Sequence, residues 1–278
     1  MSPIPLPIHD HLNKVGNQND DAAIDLFDTA LTCAAVWHEG ISLERYHHHA
    51  IKVVKALEAM DVKKGVDAIR QVFQNDFGYV LSKKNPLDIQ NYDVIRMIER
   101  RTAAPQTMAL FVVHCVRAAG YPADVIDFPK ASFCRLTLNN QRLIVDPSQN
   151  FKSMNAYDLR AHLKNTSGNQ SELSASYMDP ILNRKILINL QNAFKFRLIE
   201  MEAYSDALQI VETMCLIDRN EYKLLLEKGV LLARLNDYDT AIVILRQYIE
   251  RAPHPFERAE ARQYIADIQS QMNATTKI

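Results

Sequence analysis

Cysteine, histidine and carboxylate side chains are where covalent or metal chemistry would have to start in this chain, and their spacing restricts what they can do. The four cysteines, Cys33, Cys115, Cys134 and Cys215, lie far apart, and no CxxC pair occurs. A structural zinc site or a redox dithiol needs close pairs. The expectation is therefore four buried free thiols in a reducing cytoplasm. His47, His48 and His49 are consecutive. On a helix they spread over about 200° of arc, whereas helical ligand pairs favour i and i+4, so the tract predicts a helix surface and no metal site. His114 and Cys115 are sequence neighbours and do not face each other on a helix. Cys115 falls in line with Met108, Phe111 or Val112, and Ala119, and Cys134 shares a strand face with Leu136 and Leu138. Both patterns read as core. Thr107 and Ser132 carry hydroxyls, which become nucleophiles only beside a base. Asp146, before Pro147, fits either a turn cap or a polar site. Arg100 and Arg101 fit solvated charge, or the binding of an anion or of a partner's acidic group. Trp37 and His38 read as packing residues at the end of the first helix.

The rest of the composition narrows the classes. The chain has 278 residues, 47% apolar and 23% charged, with a net charge of −1. That suits two globular domains and gives no basic excess for nucleic acid. Seven glycines, with no GxGxxG and no GxxxxGK followed by Ser or Thr, argue against a nucleotide loop, and no cofactor is expected. The start lacks the charged-then-apolar pattern of a signal peptide, and no run approaches the roughly 20 apolar residues that span a bilayer. No membrane partner is expected.

Three rhythms organise the chain. To about residue 120 the apolar spacing is helical, with helices from Ile24 to Ala35, from Leu43 to Met60, over about 64 to 75, around Val94 to Ile98, and from Pro105 to Ala119; an irregular connection covers 78 to 93. Gly120 fits a helix C-terminal cap. From 121 to 147 the period becomes two. PADVIDF, SFCRLTL and RLIVDP read as two or three antiparallel strands, with Asn139 and Asn140 in a hairpin turn. Residues 164–176, KNTSGNQSELSAS, read as a linker. Beyond it the chain is helical and repeats at 34 residues: Tyr204 with Tyr238, Ala207 with Ala241, Val211 with Leu245. Gly229, Ala241 and Pro253 stand where a tetratricopeptide repeat places such residues, and a last helix over 256 to 272 reads as a cap.

The run ERRTAAPQTMALFVVHCVRAAGYPADVIDFPKASFCR, followed by LIVDP, resembles the SirB-one family of bacterial proteins, which join a transglutaminase-like core to tetratricopeptide repeats. RKILINLQNAFKFRLIEMEAYSDAL is similar to the family's first repeat, and the resemblance covers roughly residues 75 to 272. It implies a helix that carries a nucleophile at its start, then strands carrying His and Asp. A thiolate is favoured at a helix N-terminus, where free N–H groups and the dipole meet it. Fifteen residues before Gly120, where active transglutaminase-like enzymes place the cysteine, stands Pro105. The family's His falls at Ala131 or Ser132, its glycine before the helix at Ala103, and its Asp at Asp146.

The expectation is thus an α+β transglutaminase-like or papain-like core with a helical N-terminal part and a small antiparallel sheet, followed by an all-α tetratricopeptide-like module. The divisions expected are a poorly ordered arm at 1–19, the core at 20–163, a linker at 164–180 and repeats at 181–273. With Pro105 and Ser132 in two of three triad positions, no catalytic residue is expected. The function expected is a non-catalytic scaffold or regulator in the bacterial cytoplasm, binding protein or peptide. The alternative is a thiol-dependent acyl transferase or hydrolase with relocated groups.

Overall fold

The computed structural model describes residues 4–38, 40–81 and 88–275. The chain divides into two compact units, one of residues 18–190 and one joining residues 1–17 to 191–278.

The first of these units is built around one helix. Twelve helices are numbered along the chain; α2 (Leu26–Ala35), α3 (Glu44–Glu58), α4 (Val66–Arg70), α5 (Val94–Arg100), α6 (Pro105–Ala118) and α7 (Ala156–Ser167) belong to this unit. Helix α6 is apolar on nearly all sides, with Met108 through Val113, Cys115 and Val116 buried, as a helix enclosed on every face must be. It packs against α2, α3 and α5, and against strands β3 (Ala123–Ile126) and β4 (Phe133–Leu138). The Phe111 ring lies 5.4 Å from Phe27, 6.1 Å from Phe73 and 5.3 Å from Tyr79. Strands β3, β4, β5 (Gln141–Asp146) and β6 (Lys152–Ser153) form an antiparallel sheet in that order. Asn139 and Asn140, both at positive φ (50° and 60°), make the two-residue turn between β4 and β5, the conformation that a tight hairpin requires.

Several expectations are corrected here. The sheet has four strands, and a separate parallel pair joins β1 (Val80–Leu81) to β2 (Thr102–Ala103). The region expected as one helix over 64–75 is α4 followed by a π-helical turn, Gln71–Asp76. Residues 82–87 of the expected connection lie outside the described residues. The segment 164–180 is not a free linker. Residues up to Ser167 complete α7, and Tyr177 and Met178 pack on the Phe128–Phe133 cluster. Ile181 N–H donates to Val125 O at 2.9 Å, and Asp127 N–H donates to Asp179 O at 3.2 Å. That chain therefore runs hydrogen-bonded beside β3, and the change between units falls within α8 (Asn183–Glu200).

The second unit is all helical: α1 (Leu6–Gly16), the later part of α8, α9 (Tyr204–Ile217), α10 (Lys223–Arg234), α11 (Tyr238–Arg251) and α12 (Pro255–Thr275). Residues 1–19, expected as a poorly ordered arm, contain α1, which packs on α9 and buries Leu12 completely. At Gly16 an added Cβ would collide with the Leu216 carbonyl oxygen, and at Gly229 it would lie 2.7 Å from two atoms of Leu245. Both helix pairs therefore approach closely only because no side chain intervenes. No helix among the described residues is long and apolar enough to cross a membrane.

Candidate functional site

The place to look for chemistry is the start of α6. Ala104 is extended (φ −70°, ψ 157°), and Pro105 takes the first helical position, where its missing N–H costs nothing. The Asn91 carbonyl holds this end of the helix. It accepts from Ala104 N–H at 2.9 Å and from the buried Thr107 hydroxyl at 2.9 Å. The Thr107 hydroxyl is thus a structural donor. Gln106 Oε1, in the first turn, and Gln90 Oε1 are buried and have no hydrogen-bond partner among the described residues.

The two residues at the expected histidine position, Ala131 and Ser132, carry no imidazole. Ala131 packs on the cluster of Phe128 and Phe133, and Ser132, partly exposed, precedes β4. Asp146 is 2% exposed at the end of β5. One oxygen accepts the Ser148 N–H at 2.8 Å and the other accepts the Gln149 amide at 2.9 Å. Its carboxylate closes the turn that carries Pro147, and no His pairs with it among the described residues.

The four thiols are held in their protonated form by burial. Desolvation pushes Cys33 up to about 12 and Cys215 up to about 11, and raises Cys115 well above the usual thiol range. Cys134 rises for the same reason, with the nearby Asp146 charge adding to the effect; its sulfur contacts Ala109 O at 3.7 Å. No histidine hydrogen-bonds a thiol among the described residues. The three consecutive histidines point three ways. His47 approaches Asp28 at 3.3 Å, His48 is exposed, and His49 meets Tyr79 at 2.8 Å. His114 turns to Asp25 at 3.5 Å. Among the described residues no three His, Cys, Asp or Glu side chains are grouped as a metal would need.

Two arrangements escaped sequence reasoning. His38 Nε2 lies 2.6 Å from Asp93 Oδ2, with side chains 11% and 7% exposed, while Asp93 Oδ1 caps α5 through the N–H groups of Ile95 and Arg96. Asp93 is legible as an N-cap before an apolar helix; nothing local marks its partner 55 residues away. The other is Arg101. Arg100 pairs with Asp88 at 3.3 Å, whereas Arg101 adopts a left-handed backbone (φ 59°) and sends its guanidinium to His49 and Tyr79.

Comparison with known proteins finds distant relatives and one family model. A protein of Xylella fastidiosa (strain Temecula1 / ATCC 700964), described as "UPF0162 protein", is 22% identical over 275 residues, 96% of each chain. Relatives with the same description in Vibrio cholerae and Haemophilus influenzae are 21% and 20% identical; they cover 84% and 76% of this chain, and 89% and 79% of their own lengths. No solved structure matches. The sequence model of the transglutaminase-like superfamily matches residues 42–192, the segment that holds α3 through α7 and both sheets. With more than half of its length so matched, the chain belongs to the transglutaminase-like superfamily.

Proposed function

We propose that the chain is a non-catalytic member of this superfamily, a scaffold or regulator that binds a protein or peptide in the bacterial cytoplasm. The observation that carries this reading is Pro105 at the first position of α6. A prolyl ring offers no nucleophilic atom, and losing the nucleophile alone costs on the order of 10⁶ in rate in a serine protease. The raised thiol pKa values support the same reading, because the thiolate is the reactive form. The motif set ERRTAAP, FPKASFCR and LIVDP supports a closer kinship with the SirB-one family.

The helices beyond residue 190 are read here as a short tetratricopeptide-like array. The support is register: α9 and α11 begin and end 34 residues apart, and Ala207 and Ala241 are both 0% exposed. A cavity of about 350 Å³ between α8 and α10, lined by Phe196, Ile199, Leu226 and Val230, is the groove assigned to the partner. Phe196 is 58% exposed beside the Lys195–Glu227 ion pair at 2.5 Å.

The test pairs a covalent probe with a binding probe. With iodoacetamide at neutral pH, all four cysteines of the folded chain should alkylate slowly compared with the unfolded chain. One cysteine that alkylates fast while folded would overturn the non-catalytic reading. Phe196→Glu should abolish retention of a partner from a bacterial lysate, and equal retention by the variant would overturn the groove assignment.

A further inference from the structure

Arg101 presents a contradiction that its local structure does not resolve. As the residue closing α5, with its N–H bonded to Met97 O at 2.8 Å, it sits at a left-handed backbone position that glycine fills without strain. An arginine there takes on backbone strain that glycine would avoid. Yet its side chain has no carboxylate partner among the described residues. Its guanidinium lies 5.2 Å from the centre of the Tyr79 ring, 3.0 Å from the Tyr79 hydroxyl and 2.5 Å from His49 Nε2. Because a guanidinium only donates, His49 Nε2 accepts from Arg101 Nη1, and the neutral ring carries its proton on Nδ1; the Tyr79 hydroxyl lies 2.8 Å from the same Nε2. The 3.4 Å approach of Arg101 Nη2 to Nδ1 is then a contact between two donors. One guanidinium nitrogen, Nη1, is consumed; the edge formed by Nε and Nη2 has no acceptor among the described residues. That edge is the fork that matches a carboxylate or phosphate with two parallel hydrogen bonds.

The surroundings leave this charge uncompensated. His49 is kept neutral by burial and by the positive charges of Arg101 and Lys52. Phe77 and Phe111 stand at 5.5 and 6.4 Å from its ring, so the side of His49 that they face is apolar. Arg101 itself is only partly buried and can be reached from solvent.

We infer that Arg101, oriented by Tyr79 and His49, is an oxyanion-binding site that takes a carboxylate or phosphate group through its free Nε–Nη2 edge. This goes beyond the scaffold reading and does not depend on it, since it involves neither the groove at Phe196 nor the thiols. Two sources of the group are separable: a phosphorylated ligand, and an acidic side chain or chain terminus.

The full-length chain is titrated with inorganic phosphate or with acetate at constant ionic strength set by chloride, and the His49 ring signal is followed by NMR. The inference expects a saturable shift of that signal and an upward move of the His49 pKa, because a bound anion offsets the Arg101 charge. Response to phosphate alone assigns a phosphorylated ligand; response to acetate assigns a carboxylate. Arg101→Gly keeps the left-handed cap, so it should fold and should lose the response to both anions. Arg101→Lys should weaken binding at least tenfold, since the bidentate fork is gone. An unresponsive His49 in the unaltered chain, or an equal response in Arg101→Gly, would overturn the inference.

Discussion

At the scale of single residues, a proline opens a helix and a buried carboxylate closes a turn. Pro105 starts α6, and both Asp146 oxygens are engaged by Ser148 and Gln149. The histidines tell the same story through pH. Burial, aided by Arg101, lowers His49 from 6.5 to about 4; burial also lowers His114, more than Asp25 raises it. Between about 4 and 6.5 the unfolded chain binds a proton that the folded chain refuses. Stability is therefore fully present above about 6.5 and falls as pH drops through that window. The urea midpoint should decrease between pH 7 and pH 5, and His49→Gln should make the decrease shallower. An unchanged slope would remove His49 from the account. At this scale the sequence could show types and local order: the divergence of His47 to His49 and the Asn139–Asn140 turn, while for Asp146 it left a turn cap and a polar site equally open. It could not show His38 with Asp93 or Arg101 with His49, since these pairs bridge more than 50 residues.

At the scale of elements, the close packing of α10 on α11 rests on one missing side chain. Gly229→Ala would gain about 1 kcal/mol of helix propensity. It would lose about 1–3 kcal/mol from overpacking against Leu245, which is fully buried. The net expectation is destabilisation. Leu245→Ala alone should cost about 2–5 kcal/mol, and the double variant should lose less than the sum, because each change relieves the other. Strictly additive urea midpoints would show that the contact is not tight. The elements that were legible are those with long periodic patterns, α3 and α6 and the β4–β5 hairpin. Helix α7 is hard to read from the sequence although Asn155 and Asp158 form a capping box, because the polar run after Leu163 obscures its short apolar stripe. Strands β1, β2 and β6 have two residues each, too few for any period to appear.

For the whole molecule, the decisive feature is that one unit takes its helices from both ends of the sequence. No periodicity can announce that α1 belongs with α9; the assignment is made by Leu12 and Gly16 fitting a surface nearly 200 positions away. Gly16→Ala in the full chain should release α1. Hydrogen exchange should then show residues 9–17 losing at least roughly tenfold protection while residues 105–118 keep theirs. Loss in both regions would mean that the substitution acts globally.

The same feature sets a timetable during synthesis. Helix α1 is made early, but its partner α9 follows about 190 residues later, a delay of roughly 10–40 s at ordinary translation rates of about 5–20 residues per second. An eleven-residue helix is marginal on its own in water. Through that interval the nascent chain carries an unsettled amphipathic segment, within reach of chaperones, while the unit of residues 18–190 has already been made and can fold.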